Sequence, residues 1–242
     1  MRIKLNLDKP TTVGRKILVH GAPNAGKTYL AGAFLRDAID NGGSGFFINT
    51  KGEDGTKSLV SLGLGDIAET VEDIKDLKEL TKDLAKDKHT HIVLDALKYV
   101  WTFAIDSVAG KGNVPKTGGS VNHWSTIHKV AENALQDILD LAPNILVLCP
   151  SDKSTDQIRD EIRITPDLPG RMAAGIAGSF DAVGYLEGAV IGSKVRRTLH
   201  FETLAGVVTR LRAGKELTKG FTLSSGPGCW GEVDTALTEV DG

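Results

Sequence analysis

Eight consecutive residues, GAPNAGKT at positions 21–28, carry the spacing GxxxxGK[ST] of a loop built to hold phosphate. Gly21 and Gly26 let the backbone wrap so that N–H groups along Ala22, Pro23, Asn24 and Ala25 and at the helix start turn inward toward phosphate oxygens. Proline itself has no N–H, so its neighbours supply them. Lys27 adds a cation against the β- and γ-phosphates, and the Thr28 hydroxyl is placed to ligate Mg²⁺. A helix that starts near Gly26 and continues through Tyr29 adds its positive N-terminal dipole. The expected chemistry is binding of a nucleoside triphosphate, with ATP and Mg²⁺ as the ligands.

Asp95 closes the apolar run HIVLD. A carboxylate at such a strand tip holds Mg²⁺ through water, opposite the Thr28 hydroxyl; the other reading is an aspartate that caps the next helix. Ala96 follows it, where AAA+ proteins usually place a glutamate that polarises water. Any catalytic carboxylate must therefore come from another strand. His20, His91, His123, His128 and His200 are scattered without ligand spacing, and Cys149 and Cys229 make neither a disulfide framework nor a zinc site. Cys149 lies in an apolar run and reads as a core residue.

These groups need elements to position them. Short apolar runs recur at residues 16–20, 45–49, 91–95, 144–149 and 181–186, with two more at 198–204 and 206–211 that could form a hairpin. Between them, Val71, Ile74, Leu77, Leu80 and Leu84 fall at helical spacing, as do Trp124, Ile127, Ala131, Ala134, Leu135 and Ile138. Strands alternating with amphipathic helices predict an α/β domain with a mainly parallel sheet, helices on both faces and a C-terminal antiparallel hairpin. Residues 109–120 and 151–170 read as loops and 188–193 as a small-residue turn. No element is assigned to 224–242, and no second domain boundary is visible, so 1–242 reads as one domain.

The composition agrees. Lys plus Arg number 29 against 31 Asp plus Glu, a formal charge of −2, which excludes a globally basic nucleic-acid coat and an acidic disordered tail. Glycine, at 28 of 242 residues, stands well above its usual share of about 7%, whereas aromatics are only 5%. That balance argues against an all-β sandwich. No run approaches the roughly 18 apolar residues of a membrane span, and the N-terminus lacks a signal-peptide core. The expectation is a soluble cytoplasmic protein with no membrane partner.

From about Arg15 to Gly214 the chain resembles the RecA-like ATPases, most closely the single-domain Sak-type ATPases of bacteriophages. The resemblance rests on the loop at 21–28, the strand ending in Asp95, and three features downstream. Residues 124–141 leading into NILVLCPS resemble the helix and strand that end in a polar sensor, which makes Ser151 that sensor. The segment DLPGRMAAGIAGSFDAVGYL resembles a phage-family signature. Arg210-Leu211-Arg212 is similar to the basic pair with which RecA-like subunits reach a neighbour's nucleotide. In a strand both guanidinium groups would face one side, either as surface arginines or across a subunit interface.

The resemblance implies an ATPase that forms a homo-oligomer (ring or filament), binds single-stranded DNA in recombination or annealing, and meets a single-strand DNA-binding protein. Were the gene phage-borne, its site of action would be the host cytoplasm. The second strand of the family commonly ends in Asp-x-Glu; here Lys51 stands in the glutamate's place, and Glu53 is the nearby candidate to activate water. DNA-facing loops would follow the strands ending at Asp95 and Ser151. They carry Lys111 and Lys116 in the first, and Lys153, Arg159, Arg163 and Arg171 in the second; plain solvated loops are the alternative. Lys194, Arg196 and Arg197 form a further small basic cluster. An AAA+-like helicase loader and a nucleotide-gated scaffold with little turnover are the competing functional readings.

Overall fold

The computed structural model describes residues 14–52, 55–110, 121–156, 161–169, 175–192, 194–212, 217, 219–224 and 229–241. Phosphate loop and strand tip are joined by one sheet. Its strands are β1 (Lys16–Gly21), β2 (Gly45–Thr50), β3 (Ala68–Val71), β4 (His91–Asp95), β5 (Asn144–Asp156), β6 (Glu161–Pro166), β7 (Ala182–Ile191), β8 (Lys194–His200), β9 (Arg210–Leu211) and β10 (Phe221–Leu223). The order is β10-β8-β7-β1-β5-β4-β2-β3, with β6 paired to β5 and β9 to β7. From β7 to β3 every neighbouring pair is parallel, while β8, β10, β6 and β9 run antiparallel to their partners.

The central strands carry continuous apolar runs through their middles because both faces are covered. Ile17, Val19, Phe47, Val93, Leu146 and Leu148 pack under α1 (Lys27–Asp40), α2 (Thr56–Ser61) and α6 (Cys229–Asp241). The residues between them, Leu18, Ile48, Ile92, Leu94, Ile145 and Val147, pack under α3 (Ile74–Asp87), α4 (Leu97–Ala109) and α5 (Val121–Leu139). α3 shows how sequence sets an element. Asp73 accepts hydrogen bonds from the Lys75 and Asp76 amides at 2.7 and 2.9 Å, Lys88 ends the helix in the left-handed region, and Leu77, Leu80 and Leu84 face the sheet.

Several expectations change. Residues 151–170 are not all loop: β5 runs on to Asp156 and turns back as β6, with Ser151 opposite Pro166 and Ser154 opposite Arg163. Residues 151–156 are polar on both faces, and the alternation in β6 is short, with only Ile162, Ile164 and Pro166 on its apolar side. The runs at 198–204 and 206–211 do not pair with each other. The antiparallel hairpin is β7–β8, Val190 opposite Val195, and β9 joins β7 instead. The turn assigned to 188–193 is correspondingly shorter, since β7 continues through Ile191. The unassigned C-terminus contains α6, which packs Trp230, Val233 and Leu237 into the core; the Trp230 ring meets Phe34 edge-on at 4.8 Å. Among the described residues no helix is long and apolar enough to cross a membrane.

Candidate functional site

β1 ends at Gly21, where a Cβ would strike the Leu186 carbonyl of β7. The chain then turns through Asn24 and Gly26, both with positive φ (64° and 97°), and enters α1 at Lys27. Gly26 is the N-cap, no side chain caps the helix, and its first turn holds no acid. The N–H groups of a helix start left without side-chain caps are donors for an anion. Lys27 lies across the loop, its Nζ donating to the carbonyls of Gly21 (2.9 Å) and Ala22 (3.0 Å).

The strand tip meets the loop directly. Thr28 Oγ1 donates to Asp95 Oδ2 at 2.8 Å, although β5 lies between the two parent strands. Asp95 is 1% exposed and sits level with Asn49 of β2. Thr50, also buried, fixes the turn after Asp95: its hydroxyl donates to the Asp95 carbonyl (3.0 Å) and accepts from the Ala96 amide (2.8 Å) across a cis Asp95–Ala96 peptide. Gly55, at the head of α2, closes over this pair; a Cβ there would lie 3.0 Å from Thr28 Cγ2 and 3.2 Å from Asp95 Oδ2. A hydroxyl and a carboxylate side by side beneath a phosphate loop fit Mg²⁺, which takes one or two protein oxygens and completes its shell with water and phosphate. Among the described residues no cluster of three His, Cys, Asp or Glu side chains offers another metal site.

Lys51 does not occupy this site. Its side chain is more than half exposed and pairs with Glu72, while its amide bonds to the Val71 carbonyl, so it is turned toward the β3 edge. Glu53 lies outside the described residues.

Ser151, one residue beyond the Gly21–Pro150 pair, faces His20. The His20 Nε2 lies 2.7 Å from the Val208 carbonyl, which can only accept, so Nε2 carries the proton. Burial pushes the His20 pKa down to about 4, with the Lys27 charge adding to this and the Val208 bond opposing it. The ring is therefore neutral, and Nδ1 accepts from the Ser151 hydroxyl at 2.8 Å. Burial likewise pushes the Cys149 thiol up to about 12, which keeps it an unreactive core residue.

Arg210 and Arg212 do face one side. Arg210 Nη1 donates to the Ala177 carbonyl at 3.1 Å and Arg212 Nη2 to that of Gly178, both in the 3-10 turn Ile176–Ser179. Arg210 is level with Val183, hence with Leu18, so the pair sits toward the start of β1 and away from the loop of its own chain. Lys153 and Arg163 are exposed on the β5–β6 ribbon, but Lys153 is opposite Ile164 and Arg163 opposite Ser154, which puts them on opposite faces. Lys111, Lys116, Arg159 and Arg171 lie outside the described residues. His20, Thr50 and Gly55 escaped the sequence reading; only the polar interruption of the KILVH run hinted at His20.

A family model for an AAA domain, AAA_24, matches residues 13–213. No curated protein matches the chain by sequence. The fold is similar to the crystal structure of a KaiC-like protein from the hyperthermophilic archaeon Pyrococcus horikoshii OT3, with a TM-score of 0.54 and 13% identity over 89% of this chain and 88% of that one. With strand, phosphate loop, helix and distal aspartate in this arrangement, the chain is a RecA-like P-loop domain and belongs to the AAA_24 family.

Proposed function

We propose that this chain is a Mg²⁺-dependent ATPase that assembles with copies of itself and works on single-stranded DNA, in the manner of phage recombination and annealing ATPases. The Thr28–Asp95 hydrogen bond carries the nucleotide part of this reading. It gathers the two oxygens a phosphate-bound Mg²⁺ needs, and Lys27 is poised to exchange two carbonyls for phosphate oxygens. Bound Mg²⁺ would neutralise charge on the terminal phosphates; Lys27 and the loop amides would hold those phosphates in place.

Glu53 is the group we assign to orient the attacking water. It is two residues before Gly55 in the sequence, and Gly55 abuts Asp95. The turning away of Lys51 leaves that position to it. Arg210 and Arg212 would serve a neighbouring subunit's nucleotide. Lys111, Lys116, Lys153, Arg159, Arg163 and Arg171 would meet the DNA backbone, and a single-strand DNA-binding protein would share that strand.

The test is phosphate release by wild type, Lys27→Ala, Asp95→Asn and Glu53→Gln, with and without single-stranded DNA and Mg²⁺. Wild type should turn over ATP and respond to DNA. Lys27→Ala should lose binding by about 2–4 kcal/mol, and Glu53→Gln should bind but not hydrolyse. Binding without turnover in the wild type would assign the chain to nucleotide-gated scaffolds. Turnover stimulated by a helicase and not by DNA would assign it to helicase loaders.

A further inference from the structure

Arg197 of β8 is directly across from Gly188 of β7, and Gly188 rests on the phosphate loop: a Cβ there would lie 3.3 Å from the Ala25 Cα. This approach lays the Arg197 side chain onto the loop. A Cβ built on Gly26 would collide with the Arg197 Nε, and the guanidinium carbon stands 5.9 Å from the centre of the Tyr29 ring. The side chain as a whole is half-buried, yet its Nε is fully buried and meets no acceptor among the described residues. A guanidinium stays charged at any physiological pH, so this is a desolvated donor on a permanent cation.

The neighbourhood adds to that charge instead of balancing it. Lys27 follows Gly26 in the chain, and the positive end of α1 begins there with no acid in its first turn. No described carboxylate is paired with Arg197. Three positive features converge on one loop and repel one another until an anion sits among them.

We propose that Arg197 is a second cation for the phosphate chain of the nucleotide, supplied in cis by β8. The inference rests on the phosphate-loop reading above. Arg197 reaches the loop from the β7–β8 side of β1, whereas Asp95 reaches it from the β5–β4 side. It touches Gly26 and Tyr29, so it serves the phosphates that ADP and ATP share. A sequence view groups Arg197 with Lys194 and Arg196 as a surface cluster; the fold separates it from Arg196, whose guanidinium turns out to the Thr222 hydroxyl.

Calorimetric titration of ADP and ATP on wild type, Arg197→Ala and Arg197→Lys tests this. Arg197→Ala should weaken both nucleotides equally, by about 10- to 100-fold, and Arg197→Lys should recover part of the loss. Unchanged affinity for both, or a loss confined to ATP, overturns the assignment. Should the alanine variant fold poorly, phenylglyoxal labelling of wild type read by mass spectrometry replaces it: saturating ADP should shield Arg197, and equal labelling with bound ADP overturns the proposal. Wild type that binds neither nucleotide would instead overturn the phosphate-loop reading itself.

Discussion

The Ser151 hydroxyl donates to His20 Nδ1 across 2.8 Å, tying the residue beyond the core of β5 to the residue that launches the phosphate loop. His20 has no exposed surface, and its other nitrogen is committed to Val208. Loop position and the β5–β6 ribbon are thus linked through one neutral imidazole.

That imidazole makes stability depend on pH. The folded pKa is about 4 against 6.5 for the free side chain, so between those values the unfolded chain binds a proton that the folded chain refuses. Stability contributed by neutral His20 is complete above pH 6.5 and falls as pH drops toward 4. From pH 7 to pH 5 the loss should be about 2 kcal/mol. Urea unfolding at the two pH values should show it, and His20→Gln should flatten the difference; parallel behaviour of both proteins would contradict this account.

Ser151→Ala leaves the His20 Nδ1 buried without its donor. A cost of about 1–3 kcal/mol is expected, read as a lower unfolding midpoint at pH 7. A variant as stable as wild type would mean water replaces the hydroxyl.

Removing Trp230 should be more damaging. It is 3% exposed and packs edge-on against Phe34 of α1, the helix that follows the phosphate loop. Trp230→Ala should cost about 3–5 kcal/mol and weaken nucleotide binding through α1. Thermal unfolding with and without ADP would measure both effects.

Arg210→Ala and Arg212→Ala separate a trans-acting role from a local one. If the pair serves a neighbour, DNA-stimulated turnover should fall by about 10³ with nucleotide binding intact, and mixing with Lys27→Ala subunits should restore part of it. Turnover independent of protein concentration, with no rescue on mixing, would leave them as anchors of the Ile176–Ser179 turn, worth about 1 kcal/mol each.

Much of this architecture is legible in the sequence because its signals are local. The loop at 21–28, the helix after it and the strand ending in Asp95 each depend on neighbours in the chain. The contact between Thr28 and Asp95 could be anticipated only because a strand tip and a phosphate loop share one sheet edge. What escaped depends on distant pairing. In β6 only Ile162, Ile164 and Pro166 alternate with polar neighbours, β9 is two residues long, and α6 is identifiable chiefly from α1, whose Phe34 lies 196 residues before Trp230. Arg197 looks like surface charge until β7 and β8 fold it over Gly26.

The alternation along β1 has a consequence for how the chain can evolve. Leu18 belongs to one helical layer and Ile17 and Val19 to the other, so the strand works as a parity lock. Losing one residue before Gly21 would shift the phosphate-binding turn by about 3.3 Å and also exchange the side chains offered to the two layers. Only changes of two residues preserve parity, and those move the turn by about 6.6 Å, far from the Asp95 carboxylate. Length variation is therefore confined to loops, while β1 admits substitutions but no insertions.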